Sequence, residues 1–409
     1  MSESTGDPRL VKDGRPLRVL IIVENLPLPF DKRVWNEAGT LRDVGCRVAA
    51  ICPVGKGYEK HYEEIDGIAI YRHPMLPEAD GLMGYISEYI CALLWEFFLT
   101  LRIFLTRGFD AIQACNPPDT IFVIGFFFKL LGKKFIFDHH DINPELYVAK
   151  FGKRGLLYNG LVLLERFTFM SADISIATNE SYRQIAINRG RMDPTRVYVV
   201  RSGPNLEKLI AVPSRPELRK GRRYLVGYVG VMGKQEGINL LLEAAHFVLD
   251  TKNRKDVLFV IIGQGTEFEP MRSYAASLGV SDSVIFTGRI PDKDLIDYLS
   301  TCDVCVNPDV VNEMNDKSTM NKIMEYMALA KPIVQFDMTE GRFTAQGASL
   351  YAKANDPEDF GKKILELLDN PEERKTMGTL GRERVIHDLQ WEQEKPKYIA
   401  AYSHLFKST

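Results

Sequence analysis

Short unbroken apolar runs alternate along this chain with segments whose apolar residues recur every three to four positions. Residues 18–24 (RVLIIVE), 47–52, 111–114, 134–138, 174–177 and 196–200 show the first pattern. Runs of this length, without polar alternation, predict strands buried on both faces. Residues 32–44 and most intervals between the later runs show the second pattern and predict helices. The alternation then restarts. Strands are expected at 224–230, 257–262, 283–286, 304–307 and 332–336, with helices at 238–249, 267–278, 292–300 and 319–330. This succession predicts an α/β fold with parallel sheets covered on both faces.

Two such series in 409 residues predict two doubly wound, Rossmann-like domains, since a domain runs to roughly 100–200 residues. The expected divisions are a first domain over 1–209, with 1–16 as a loose tail, and a linker at 210–223. A second domain follows over 224–387, and a final helical segment at 388–409 returns to the first domain. Pro213, Pro216 and a basic cluster mark the linker. Doubly wound sheets bind ligands beyond the carboxyl ends of their strands, so two facing sheets predict a cleft there.

Hydrophobic residues make up 45% of the chain and charged residues 26%, as in globular proteins. The net charge of −2 argues against a nucleic-acid partner held by global positive charge. The cysteines are scattered. Cys302 and Cys305 have CxxC spacing but no second pair or nearby histidine, so buried thiols are expected rather than zinc. Free thiols and a polar, acidic start predict a cytoplasmic protein. Residues 81–105 are rich in Leu, Ile, Phe and Tyr, but Glu88, Glu96 and Arg102 interrupt them. A core helix is the first reading, a helix resting on the inner face of a membrane the second, and a spanning helix is not expected.

The richest stretch chemically is 315–328, NDKSTMNKIMEYMA. Met320, Ile323, Met324 and Met327 share one helical face. Ser318 and Thr319 stand where N-cap residues belong, which predicts first-turn N–H groups aimed at an anion, above all a phosphate. Glu325, further along the helix, is placed to accept hydrogen bonds from neutral hydroxyls. Phosphate and hydroxyls together suggest a sugar nucleotide. A capped helix packed under a loop accounts for the same residues. Gly230, Gly233 and Gly237 frame a loop where a phosphate meets backbone closely, or where the chain simply turns. Gly263-Gln264-Gly265 lacks the third glycine of a dinucleotide fingerprint, which disfavours a nicotinamide dehydrogenase.

Taken in order, several motifs carry a family resemblance. They are Phe30-Asp31-Lys32-Arg33-Val34-Trp35, Asp138-His139-His140-Asp141, Tyr228 to Gly233, Ile262-Gly263-Gln264-Gly265, Phe286-Thr287-Gly288-Arg289, and the stretch from Asn315 through Lys331-Pro332-Ile333-Val334. On these the chain resembles the GT-B glycosyltransferases, specifically the retaining bacterial family 4 (GT4), over nearly its whole length. The resemblance implies a nucleotide diphosphate sugar held by the second domain and a glycan or lipid-linked acceptor held by the first. It also implies transfer with retained configuration, as in cell-surface polysaccharide or glycoconjugate synthesis, with no required metal. A UDP-sugar is the expected donor from family frequency.

Residue by residue, the resemblance places Glu325 on the ribose and the amides of Ser318, Thr319 and Met320 on the donor phosphate or sugar. Gly230 and Gly233 frame the phosphate loop. Gly288, Arg289 and Ile290 lie at the base. His140 matches an active-site histidine near the donor, and a vicinal His139–His140 pair is a poor metal site. Asp138, Asp141 and Glu145 are candidates for acceptor hydroxyls, and Arg33 for a phosphate or an anionic acceptor. Two departures stand out. Lys317 occupies the place of the family's first glutamate, leaving Asp316 as the substitute. Val231 and Glu236 occupy places where the family has cations facing the diphosphate. Losing one such group costs roughly 2.7–4 kcal/mol of transition-state stabilisation. Lys322 is the best-placed replacement, ahead of Lys234, Arg201 and Arg33. A catalytically weak scaffold or binding protein, and a sugar-nucleotide epimerase, are the alternatives.

Overall fold

A computed structural model describes residues 10–74, 81–207 and 209–407. The chain forms two compact units, one of residues 1–202 with 394–409 and one of 203–393.

In the first unit a small antiparallel hairpin, β1 (Val11–Lys12) with β2 (Arg15–Pro16), precedes the main sheet. The expectation of a loose tail fails for residues 10–16. Leu10 is buried, its amide donates to Val44 O at 3.3 Å, and Arg15 pairs with Asp110 at 2.9 Å. The main sheet contains β3 (Arg18–Ile22), β4 (Arg47–Pro53), β5 (Tyr62–Ile65), β6 (Ile68–His73), β7 (Ala111–Cys115), β8 (Lys134–His139), β9 (Ile174–Ala177) and β10 (Val197–Val199). Their order is β10-β9-β8-β7-β3-β4-β6-β5, parallel except for β5 on β6. The chain builds outward from β3 through β4 to β6, then restarts at β7 on the other side. The strand order therefore switches between β3 and β7, the place where doubly wound sheets bind ligands.

The sequence pattern missed β5 and β6. The outer strand β5 is half exposed, and β6 contains Arg72, which breaks its apolar run. Arg72 is nevertheless buried, because Leu28 O (2.6 Å), Lys60 O (3.0 Å) and Glu63 Oε1 (2.6 Å) accept from its guanidinium.

The second unit has β11 (Tyr224–Val229), β12 (Val257–Ile262), β13 (Val284–Gly288), β14 (Val304–Asn307), β15 (Ile333–Phe336) and β16 (Ser349–Ala352), all parallel, in the order β13-β12-β11-β14-β15-β16. Successive side chains serve opposite faces, as the twofold period of a strand requires. Val226, Tyr228, Phe259 and Ile261 join one core cluster, whereas Leu225, Leu258, Val260 and Ile262 join the other. Here the switch falls between β11 and β14.

Residues 210–223 are not a free linker. They pack on the second unit, where Val212 N donates to Ser300 Oγ (3.2 Å), Arg215 N to Thr301 Oγ1 (2.9 Å) and the Arg215 guanidinium to Asp297 (2.6 Å). Basic residues that mark a linker by composition find carboxylates instead, so the division falls after Ser202. The other crossing comes at Glu394, within the helix Trp391–Lys407. On that helix Tyr398 and Tyr402 are buried, and each hydroxyl donates to Gln113 Oε1 on β7 at 2.7 Å.

Residues 81–105 fall in one helix, Gly81–Thr106. The side chains of 81–89, Glu88 among them, lie outside the described residues. No helix among the described residues is long and apolar enough to cross a membrane.

Candidate functional site

In the second unit the loops after β11 and β14 diverge at the switch point, and a buried charge cluster lies between them. Lys322 Nζ donates to Glu236 Oε2 at 2.7 Å and to Asp309 Oδ1 at 2.8 Å. It stands 4.9 Å from the centroid of the Tyr228 ring, whose hydroxyl donates to Glu236 Oε2 at 3.1 Å. Burial opposes the Lys322 charge, but Asp309 and then Glu236 outweigh it and hold the ammonium protonated. Burial raises Asp309 to about 7, with Lys322 opposing and Glu236 adding to the shift. Asp309 was not among the expected site residues. Its signal was the polar Asn307-Pro308-Asp309 at the end of a strand.

The helix that carries Lys322 runs over Asn321–Ala328, and its N-cap is Met320. This corrects the expected start at Ser318–Thr319. Asn312 caps a preceding short helix, Glu313–Lys317, by accepting from Asn315 N at 2.9 Å, and Ser318 closes it. The Ser318 amide donates to Asn315 O (3.2 Å) and its hydroxyl to Met314 O (2.7 Å), so neither faces a phosphate. Asn315 is buried, and its side-chain amide ties the two loops together through Gln235 O (2.9 Å) and Val310 O (2.8 Å). Met320 supplies no side-chain cap, so no N-cap side chain competes for the first-turn amides of the Asn321–Ala328 helix. Lys322 and Glu325, both half-buried, are three residues apart and share a face.

Asp316 is turned to other work than the expected sugar contact. Its carboxylate accepts from Thr339 N (2.7 Å) and Thr339 Oγ1 (3.0 Å) and fixes the start of the helix Thr339–Ala345. Lys317 pairs with Glu313 at 2.9 Å. Gly230 is required for packing, because a Cβ there would lie 2.4 Å from the Tyr228 hydroxyl. Gly288, with φ +66°, ends β13, and its carbonyl accepts from Gly263 N at 3.0 Å. Arg289 is exposed beyond it, whereas Ile290 packs on the core. Gly233 begins a turn that returns through Lys234–Glu236. Val231, where the resemblance expects a cation, is 67% exposed.

The first unit has its own polar cluster at its switch point. Asp31 caps the helix Lys32–Asp43, accepting from Val34 N at 3.1 Å, and so places Arg33 in the first turn. Arg33 is not a free cation as expected. Buried, it donates to Val200 O (2.8 Å), Ser202 Oγ (3.2 Å) and Asp138 Oδ1 (3.0 Å), and meets Glu37 Oε1 at 3.1 Å. Burial opposes ionisation of Asp138, but Arg33 and then His140 outweigh it and hold the carboxylate well below its usual range. Glu37 is pushed well above its usual range by burial and by Asp138. Gln113 Nε2 bridges the two, at 2.7 Å to Glu37 and 2.9 Å to Asp138.

His140 Nε2 lies 2.8 Å from Asp138 Oδ2 and 3.0 Å from Arg33 Nε. Asn116 Oδ1 accepts from the amides of His140 (2.7 Å) and Asp141 (3.2 Å) and fixes this loop. The neighbouring His139 is fully buried among Phe137, Phe169 and Tyr182, and burial lowers it to about 3. The Asp141 carboxylate accepts no hydrogen bond from the described residues, and burial raises its pKa against the opposing effect of His140. Glu145 is corrected as an acceptor ligand. It is buried in a double pair with Arg189 at 2.7 and 3.0 Å, and Arg189 also holds Glu165.

Cys115, Asp138 and His140 offer ligand atoms within 4.8 Å of one another. The donor set does not suit a metal ion. Burial pushes the Cys115 thiol well up, and the Arg33 cation already holds the carboxylate.

With this geometry in view, comparisons find similarity to glycosyltransferases. Residues 223–370 match the family model "Glycosyl transferases group 1". The chain is 25% identical over 289 residues to the alpha-maltose-1-phosphate synthase of Mycolicibacterium smegmatis, covering 64% of this chain and 70% of that one. Among solved structures, sucrose-phosphate synthase from Thermosynechococcus elongatus superposes with a TM-score of 0.78 at 17% identity, over 96% of this chain and 100% of that one. Anabaena HepE, solved in complex with UDP-glucose, gives 0.74 at 14% identity, over 95% and 100%.

Proposed function

We propose that this chain, a glycosyltransferase of GT-B fold that resembles the family 4 enzymes, moves a sugar from a nucleoside diphosphate to a hydroxyl with retention of anomeric configuration. The observation that carries the reading is Lys322. It is a protonated cation at the start of an uncapped helix at the switch point of the second sheet, and it shares a face with Glu325.

In this scheme the first-turn amides beyond Met320 and the Lys322 ammonium receive the charge that develops on the departing diphosphate. Such preorganised groups act where charge appears and are worth most away from bulk water. Glu325 accepts from the ribose hydroxyls, and the loop at Gly288–Ile290 borders the base. Uridine is the base we assign, supported by the UDP-glucose bound to Anabaena HepE. The acceptor hydroxyl attacks from the face the diphosphate leaves, and a phosphate oxygen takes its proton. No carboxylate nucleophile and no metal enter, because Lys322 and the amides meet the leaving group. His140 and Asp141 in the first unit are the groups assigned to the acceptor side, with a glycan or lipid-linked alcohol of a cell-surface polysaccharide pathway as acceptor. The assigned compartment is the cytoplasm, at the inner face of the membrane.

A second reading rests on Val231 and Glu236. With carboxylates around Lys322, the chain binds nucleotide sugar but turns it over poorly, as a scaffold. Calorimetric titration with UDP, GDP and ADP, followed by release of nucleoside diphosphate from the matching sugar donors, separates the two. Selective binding with turnover supports transfer. Binding without release of nucleoside diphosphate leaves the scaffold, and no binding of any nucleotide ends both. Donor conversion with no acceptor present points instead to an epimerase.

A further inference from the structure

The helices Gly81–Thr106, Phe122–Leu130 and Leu156–Ser171 lie between β6 and β7, β7 and β8, and β8 and β9. All three crossovers run in one direction along the sheet. Right-handed connections therefore put the helices side by side on the same face. Ring contacts join the neighbours, Phe97 to Phe127 at 5.2 Å and Phe122 to Phe167 at 5.6 Å.

Their outer surface is apolar. Trp95 and Phe98 on the first helix, Phe126 and Leu130 on the second, and Leu156 and Met170 on the third are all exposed, Leu156 to 90%. Scattered surface hydrophobics need no explanation, but a patch continued across three adjacent helices does.

Exposed charge on these helices and the chain next to them has one sign. In residues 90–107, 122–134 and 149–171 the only carboxylates are Glu96 and Glu165, and both are fully buried. Arg102, Lys150, Lys153 and Arg154 are exposed, and Lys133 is half-buried, whereas Lys129 pairs with Asp173 at 3.2 Å. The whole chain carries −2, so this face is not a sample of its composition. Lys133 lies 5.3 Å from the centroid of the Phe104 ring, with its stem against the apolar surface. Exposed rings on segments whose exposed charges are all cationic complement an anionic lipid surface: the acyl boundary takes the rings and the headgroups take the cations.

We infer that this three-helix face seats the protein on a bilayer containing anionic phospholipid, as a peripheral contact. The inference does not depend on sugar transfer, and its test involves no turnover. The full chain is floated with phosphatidylcholine vesicles, with and without phosphatidylglycerol, while Trp95 fluorescence is followed with brominated acyl chains. Bound protein is expected to rise about tenfold or more with phosphatidylglycerol and to fall with added salt, as headgroup attraction requires. Bromine should quench the tryptophan emission, and Trp95→Phe should remove that quenching. Two variants, Phe98→Ser with Phe126→Ser, and Lys150→Glu with Lys153→Glu and Arg154→Glu, should each lose that binding while keeping the wild-type urea midpoint. If the first fails to fold, the second and the wild-type quenching decide. Equal or absent binding to both vesicle types, variants that bind as wild type, or self-association abolished by the apolar variant without vesicle binding would overturn the inference.

Discussion

The Lys322 ammonium and the Glu236 carboxylate, from opposite sides of the second sheet's switch point, meet at 2.7 Å. Where the family resemblance expects a cation at 236 there is an anion, and the cation it meets lies on the facing helix. That cation is bound to two carboxylates, Glu236 and Asp309.

Replacing Lys322 by Met tests whether the cation takes part in chemistry. We expect kcat to fall roughly 10²–10³-fold, the usual loss for one preorganised group at developing charge. The urea midpoint should fall as well, because Glu236 and Asp309 would lose their partner. The double variant Lys322→Met with Glu236→Gln should regain stability but not kcat. Restoration of both would show that Lys322 serves packing alone.

Asp309 is expected to make donor binding sensitive to pH. Below about 7 it is protonated, and the trio of Lys322, Glu236 and Asp309 is neutral. Above about 7 the trio carries a net negative charge, which opposes an anionic donor. Affinity for UDP-glucose, whose diphosphate does not titrate in this window, should therefore fall as pH rises from 7 to 8.5. The limiting slope is about tenfold per pH unit. Asp309→Asn should flatten the profile; an unchanged profile would mean that another group titrates.

Glu96 is buried with neither carboxylate oxygen hydrogen-bonded, and burial pushes its pKa well up. A carboxyl raised by folding stays protonated in the native state while the unfolded chain ionises above about 4.5. Stability is thus lost as pH rises above that point, by at most about 1.4 kcal/mol per pH unit. Urea titrations at pH 5 and pH 8 should show a smaller loss for Glu96→Gln than for the wild type.

Much of the architecture was legible because buried parallel strands announce themselves as unbroken apolar runs; β11, β12 and β14 fall where the pattern put them. β6 escaped because Arg72 interrupts it, and the carbonyls of Leu28 and Lys60 with the Glu63 carboxylate make that arginine tolerable in the core. The site was read less well. Local rules placed an N-cap at Ser318, but Asn312 nucleates a short helix first, and that helix claims Ser318. Glu236, Asp309 and Lys322 are far apart in sequence, so nothing local announces their union. Glu145 looked accessible until Arg189, just past the helix Glu180–Asn188, claimed it.

Gln113 should be tested through its hydroxyl partners. Tyr398→Phe and Tyr402→Phe should each cost about 1 kcal/mol, the usual net worth of one hydrogen bond. The pair together should exceed the sum, because Gln113 Oε1 would then be buried with no donor. Urea denaturation of the two single variants and the double variant gives the coupling. Additive losses would mean that another donor reaches the oxygen.

The same tyrosines constrain how the protein is made. β7 emerges from the ribosome long before Tyr398, with the whole second unit translated in between. Until the final helix arrives, Gln113 lacks the hydroxyls that cover it. The first unit therefore completes its interior last, and a chain truncated after residue 393 should display an immature, protease-sensitive β7 region and a finished second unit.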